Sequence, residues 1–181
     1  MEHIRVNDNI RLEAIKISMA SVIFDTIDRD RNFLRTWLPF VNSTFQLADT
    51  ERYLKSIIKQ KKPKKEEIYS IWFKEEFTGL IGFKDTDWVN SKTELGYWIS
   101  QKMQGKGIVT LSAKELVKYA FRRMNMNRVQ IKVGVGNVKS ASVPKRLNFK
   151  FEGVEREGEF HSNAFIDLEV YSLLKKEWLK S

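Results

Sequence analysis

The chain has no cysteine among its 181 residues. That excludes a disulfide scaffold, a thiol nucleophile and any thiolate metal site. Histidine is nearly as scarce, His3 and His161 being the only two, so a histidine-built centre is not expected and the chain is read as using no metal. No apolar run approaches the ~20 residues that a membrane helix needs. Arg5, Arg11 and Glu13 interrupt residues 1–20, which lack a secretory pattern. A reducing cytoplasm is the expected compartment. The usual phosphate signatures are missing too: there is no GxxxxGKS/T loop, and no GxGxxG follows the first strand. A GxSxG serine elbow is also absent. Neither a repeat nor a Gly/Ser linker divides the sequence, and residues 1–181 read as one domain large enough to bury a core.

What is present is a balance of 42% hydrophobic and 30% charged residues, as in a soluble globular protein. The formal net charge is +9, a surplus that favours anionic partners such as nucleic acid, an acidic protein or a polyphosphate cofactor. Solubility alone accounts for such a surplus equally well. The densest run, Lys59 to Lys65, contains Pro63 and precedes a strand, so it reads as a solvated loop. Few aromatics interleave its lysines, and nucleic acid is not an expected partner.

The hydrophobic period changes several times along the chain. Residues 8–16 read as a strand, and 18–35 as a helix with Ser18 as a possible N-cap. An aromatic loop, 37–45, is broken by Pro39 and precedes a second helix at 49–60. Strands are expected near 67–73, 77–88 and 92–100, punctuated by Gly79 and Asn90-Ser91. A helix over 106–124 carries Val109, Ala113, Leu116, Val117, Ala120, Phe121 and Met124 on one face. A strand at 127–134, a short helix at 139–147, strands at 149–156 and 164–174, and a brief C-terminal helix complete the order. Mixed α/β with an antiparallel middle is the expected class.

The most informative stretch is Gln104-Gly105-Lys106-Gly107-Ile108-Val109-Thr110, where a glycine turn feeds a helix. Unpaired backbone N–H groups and the positive dipole end make such a junction an anion site. Glycines at 105 and 107 let a bulky anion approach the main chain. Charge-assisted hydrogen bonds of ~1.5–3 kcal/mol each outweigh a dipole contribution of ~0.3–1 kcal/mol, so backbone donors should dominate. Lys106 adds charge at the rim or is merely solvated.

This segment resembles the acetyl-CoA pyrophosphate loop of the GCN5-related N-acetyltransferases, whose pattern is R/Q-x-x-G-x-G/A. Leu95-Gly96-Tyr97-Trp98-Ile99 before it and Thr110 after it resemble the branch that acetylates N-termini of ribosomal proteins, the RimJ/RimL-like enzymes. Further motifs of that branch are Asn137-Val138-Lys139-Ser140 with Lys145-Arg146-Leu147-Asn148-Phe149, then Glu152-Gly153 with Arg156 and Glu159, and Trp37-Leu38-Pro39 near the N-terminus. Two departures stand out: Val109 replaces a small residue, and Asn148 replaces the glycine of a turn that asparagine also tolerates. The resemblance implies a mostly antiparallel sheet of about seven strands, splayed in the middle and flanked by helices. It implies acetyl-CoA as cosubstrate, bound by Tyr97, Trp98, Ile99, the loop 104–110, Asn137 and Ser140. By resemblance, Asn137 holds the pantetheine arm, Ser140 protonates the departing thiolate and Glu159 is the base.

Several alternatives stay open in the sequence. Asn137 and Ser140 are also good helix-start residues. Pro144 cannot bond the Ser140 carbonyl, so the helix either starts after Ser140 or leaves that carbonyl free. Glu159 has a rival in Glu94, which shares a strand face with Gly96 and Trp98 and points toward the acceptor or into a buried pair. Trp37, Phe40 and Phe45 close the core or line the acceptor channel. With no thiol and no serine elbow, direct acetyl transfer to an amine is the economical route. The acceptor is an acidic protein N-terminus or a small amine. The rival class is a non-catalytic module that binds a CoA ester or RNA. Strand edges near 149–174 could pair in a homodimer.

Overall fold

A computed structural model describes residues 3–180. The chain builds one open sheet of eight strands in the order β1-β2-β3-β4-β5-β6-β8-β7. In sequence these are β1 (His3–Arg5), β2 (Ile10–Ala14), β3 (Glu67–Phe73), β4 (Glu76–Asp87), β5 (Lys92–Ile99), β6 (Arg128–Gly134), β7 (Lys150–His161) and β8 (Ala164–Leu174). Every pairing is antiparallel except β5 with β6. The extra strand relative to the expected seven is β1, a three-residue edge piece paired to β2 and too short to show a period.

The helices are α1 (Ala20–Arg29), α2 (Arg31–Leu34), α3 (Leu47–Ile58), α4 (Ile108–Arg122), α5 (Val138–Arg146) and α6 (Lys175–Trp178). Two cores lie on opposite faces of the sheet. On one face α4 packs Ile108, Leu116, Val117 and Phe121 onto Leu12, Ile71, Phe83, Leu95 and Ile131. On the other, α1 and α3 bring Ile23, Ile27, Leu54 and Ile57 against Phe77, Leu80 and Trp98. The expected face of the long helix is thus the buried one.

The helix expected over 18–35 is broken at Asp30, whose φ of −99° and ψ of 13° leave the helical region. The reason is tertiary: Asp30 Oδ2 accepts the backbone N–H of Gln101 at 2.9 Å and Oδ1 accepts from Arg29 Nε. Burial pushes the Asp30 carboxyl up, but hydrogen bonds from Ser100, Gln101 and Arg29 more than offset it, and its pKa is lowered. Helix α5 ends as the sequence suggests: Asn148 takes φ 59°, while Phe149 N–H bonds Pro144 O at 3.0 Å and Asn148 N–H bonds Lys145 O at 3.2 Å. That is a Schellman closure with asparagine at the left-handed position. Helices flank both sides of the β1–β5 half, whereas the β6-β8-β7 half carries a polar ladder on the α1 side.

In that ladder Arg128 holds Glu152 through both guanidinium nitrogens at 2.6 and 2.5 Å, and Ser172 Oγ donates to the same carboxylate. The Arg128 hydrogen bonds, followed by that of Ser172, hold the Glu152 carboxyl down to about 2. A depressed folded-state pKa means that the stabilisation is present above the ordinary carboxyl value and is lost as pH falls from about 4.5 toward about 2. The Glu152 side chain is 41% exposed, so solvent screens part of the effect. We expect Glu152→Gln to lower stability at pH 7 and to leave the variant and the parent equally stable near pH 2, as read from denaturant midpoints across that range.

Candidate functional site

The site begins where the sheet divides. The parallel β5–β6 ladder holds only from Lys92–Arg128 to Glu94–Gln130. Beyond it β5 stays paired to β4 as far as Ile99, and β6 stays paired to β8 as far as Gly134. Each half keeps its own ladder, so the two strands open into a fork, and among the described residues the edge of Leu95–Ile99 that faces β6 has no strand partner. Glu94 sits at the crotch, 4% exposed. Lys84 Nζ pairs with its Oε1 at 2.8 Å, and Gln130 Nε2 donates to its Oε2 at 3.1 Å. Burial alone would push the Lys84 ammonium down; the charge and hydrogen bond of Glu94, helped by the charges of Glu159 and Asp85, overturn that and raise its pKa. Of the two readings of Glu94, the pair is the one observed, with the carboxylate buried, the Lys84 side chain 45% exposed, and both carboxylate oxygens engaged.

Side chains alternate across the fork. Leu95, Tyr97 and Ile99 face the α4 side, while Trp98 joins the α1 core. The loop after β5 is anchored at its root by Ser100 N–H to Thr78 O at 2.7 Å and by Gln101 N–H to Asp30. Gly105 and Gly107 then take φ of 74° and 73°, values that favour glycine. A Cβ at either would meet nothing within 4 Å, so the space in front of the loop is open. Gly107 caps α4 with no side-chain cap bond, and the first turn holds no acidic residue. The first intrahelical bond to the cap is Leu111 N–H to Gly107 O, which leaves the N–H groups of Ile108, Val109 and Thr110 for an anion. The residues present therefore fit a diphosphate.

Lys106 turns away from this mouth, its ammonium 3.3 Å from Met103 Sδ and 5.7 Å from the Phe73 ring. The cation that reaches the loop is Lys139, whose Nζ donates to Gln104 Oε1 at 2.8 Å. It bridges the loop to α5 across the slot. Sequence reasoning passed over Lys139, and its place one residue before Ser140 was the only signal.

On α5, Asn137 Oδ1 accepts Ser140 N–H at 3.1 Å, so the capping reading of Asn137 is realised. Helix α5 runs through Pro144, and the carbonyl which that proline cannot bond is not wasted. Tyr97 Oη donates to Ser140 O at 3.0 Å, across the fork, and Ser140 Oγ donates to Tyr97 Oη at 3.4 Å. Burial pushes the Tyr97 phenol well above its ordinary value, against the opposing Ser140 hydrogen bond, so it stays protonated and can keep donating. Tyr97 thus couples the free edge of β5 to the helix that carries Ser140.

The opposite side of the fork is polar and aromatic. Glu159 lies within β7, which runs on to His161 beyond the strand expected at 149–156. Between Glu155–Leu168 and Glu159–Ile166, four steps on β7 answer two on β8, and this bulge, with Glu157 at φ 51°, shapes the hairpin locally. Opposed residues of an antiparallel pair share a face, so Glu159 lies with Ile166. A Cβ at Gly134 would come within 3.2 Å of the Trp37 ring and 3.4 Å of Ile166 Cδ1. Trp37, half-buried, therefore covers the end of β6 beside Glu159, and the pKa of Lys84 registers the Glu159 charge from the crotch. Phe40 and Phe45 are exposed at 39% and 74%. The phosphate loop, Tyr97 and Ser140 occupy one side of the opening; Glu94, Glu159 and Trp37 occupy the other. Among the described residues no group of His, Asp or Glu could hold a metal ion, and no helix is long and apolar enough to cross a membrane.

A family model described as the acetyltransferase (GNAT) domain matches residues 9–150. The chain is 35% identical over 178 residues to "Putative ribosomal N-acetyltransferase YdaF" of Bacillus subtilis (strain 168), covering 96% of each. It is 25% identical over 174 residues to the ribosomal-protein-serine acetyltransferase of Escherichia coli (strain K12), covering 94% of this chain and 96% of that one. A solved structure, the ribosomal L7/L12 α-N-protein acetyltransferase RimL in complex with coenzyme A, superposes with a TM-score of 0.91 at 24% identity, over 96% of this chain and 98% of that one. The expected splayed sheet and its flanking helices are thus the common fold of both chains. The chain belongs to the GNAT acetyltransferase family.

Proposed function

We propose that this protein transfers the acetyl group of acetyl-CoA directly to the N-terminal α-amine of a protein, with a ribosomal protein as the acceptor class. The fork carries this reading: an unpaired strand edge lies between a diphosphate-competent helix start and the Ser140 hydroxyl. Relatives named as ribosomal-protein acetyltransferases support the acceptor class. The loop 104–110 and Lys139 bind the diphosphate. The free edge at Tyr97, Trp98 and Ile99, with Asn137, receives the pantetheine amides, and a backbone N–H there polarises the thioester carbonyl.

The acceptor enters from the Trp37 and Glu159 side. Its nitrogen lone pair attacks the thioester carbon, and the carbon–sulfur bond breaks as the tetrahedral intermediate collapses. Glu159 takes the amine proton through water, and Ser140 Oγ donates a proton to the leaving thiolate. Glu94, its oxygens committed to Lys84 and Gln130, sets the position of the opening rather than moving a proton. An α-amine has a pKa near ~7.7–8.0 against ~10.4 for lysine, which makes it easier to deprotonate by ~3.5 kcal/mol. A carboxylate base reached through water suits the former.

Intact-mass measurement after incubation with acetyl-CoA and free-amine N-terminal peptides should show a single added acetyl group, with one free CoA thiol released per transfer. Absence of both with every peptide overturns the reading. Ser140→Ala and Glu159→Gln should each lower kcat by ~10²-fold or more with the affinity for acetyl-CoA nearly unchanged in a binding titration; lost affinity at Ser140→Ala would make it a binding residue instead. Tyr97→Phe leaves the part-buried Ser140 carbonyl without its donor and should cost ~0.5–1.5 kcal/mol of stability, seen as a lowered Tm.

A further inference from the structure

Beyond the fork, α2 and the 3-10 turn Pro39–Ser43 face the tip of the β7–β8 hairpin across a hollow of about 430 Å³. Its walls are Arg31, Arg35, Asn42, Phe45, Ser162 and Asn163. A hydrogen bond from Asn42 Nδ2 to Ser162 Oγ at 3.3 Å ties the two walls together. Among the described residues no carboxylate lines it, although two guanidinium groups do.

The two arginines are not equivalent. Arg31 is structural: it donates to the carbonyls of Val41 and Thr44 at 2.7 Å each, and it pairs with Asp28 at 3.0 Å. Those bonds hold the turn and neutralise its charge. Arg35 is exposed and donates to the neutral Asn42 Oδ1 at 3.0 Å; among the described residues it has no carboxylate partner. Its charge is therefore uncompensated at the wall of a concave site, where low-dielectric walls focus the field. Phe45, 74% exposed, adds an apolar rim.

Position gives this charge a meaning. Ser162 follows Glu159 by three residues, and β7 reaches His161, so the hollow begins ~10 Å along the hairpin from Glu159 at ~3.3 Å per residue. An extended peptide covers that span in three residues. The approach is thus negative at the Glu159 end and positive at the Arg35 end, a polarity that aligns a chain carrying a free ammonium followed by a carboxylate.

We propose that this hollow is a specificity subsite for an acidic side chain at about the third or fourth residue of the acceptor peptide, with Arg35 as its charge partner. The proposal rests on the acceptor being a peptide α-amine placed beside Glu159. The test uses the full chain with acetyl-CoA and three free-amine hexapeptides that differ only in bearing Asp, Asn or Lys at positions three and four. CoA thiol release is read as kcat/KM. The parent should favour the Asp peptide over the Asn peptide by about 5-fold, mostly through KM, as for an exposed ion pair of ~1 kcal/mol. Arg35→Gln should bring the Asp peptide down to the Asn level and leave the Asn peptide unchanged. Arg35→Glu should turn the preference toward the Lys peptide, a gain that damage to the fold cannot produce. Equal use of Asp and Asn peptides by the parent would overturn the subsite while leaving peptide acetylation intact. Equal losses on all three peptides in Arg35→Gln, with no reversal in Arg35→Glu, would reduce Arg35 to a framework residue. If no peptide is acetylated at all, the acceptor reading fails first and the subsite falls with it.

Discussion

Everything functional in this molecule depends on the ladder between β5 and β6 stopping after Glu94 and Gln130. A sheet that stayed paired would consume the backbone groups of Leu95–Ile99 and leave nowhere for a second chain of amides to lie. The stop is marked by the buried Glu94 carboxylate, paired with the half-exposed Lys84 ammonium, and by the Gln130 amide that satisfies its other oxygen. Only the carboxylate is taken out of water, and losing either partner would leave it buried with an unsatisfied oxygen, which is costly. Its physical consequence is positional: it fills the crotch with a satisfied polar cluster, so the strands separate there and not elsewhere. The charges of Glu159 and Asp85 act on the same ammonium, which couples the crotch electrostatically to the Glu159 side of the opening.

The other side of the opening is held by a proline. Pro144 within α5 strips the Ser140 carbonyl of its helical donor, and the Tyr97 phenol, kept protonated by burial, fills that place. The sheet half that carries β5 and the helix that carries Ser140 are thereby joined across the gap by the contact between Tyr97 and Ser140. The same contact positions the Ser140 hydroxyl, which donates to the phenol oxygen. A break in regular secondary structure, usually a local defect, here becomes the coupling between two elements.

Much of the fold was legible because its signals are local. The buried stripe of α4, the glycine turn before it and the left-handed Asn148 closing α5 all follow from residues within one or two turns of each other. Other features resisted for equally physical reasons. Asp30 breaks its helix because its side chain is recruited by Gln101, 71 residues away, and no window around Asp30 contains that information. Glu159 fell beyond the strand expected at 149–156 because β7 continues through a bulge over 155–159, where Glu157 N–H donates to Asp167 on the neighbouring strand. Lys106 and Lys139 could not be ranked from the sequence, since each lies inside a motif and only packing decides which ammonium faces the loop.

The sequence by itself determined the family, the order of elements and a phosphate-competent helix start, because glycine spacing and hydrophobic period write dihedral angles and buried faces directly into the chain. Tertiary structure alone decided what the polar residues do: that Glu94 is spent in the crotch, that Tyr97 holds Ser140, that Lys139 reaches Gln104 and that Arg35 is left with an unpaired charge. Those outcomes rest on which distant groups meet in a low-dielectric setting. Hydrogen-bond partners separated by 35 to 43 residues are chosen by the sheet and not by their neighbours in sequence.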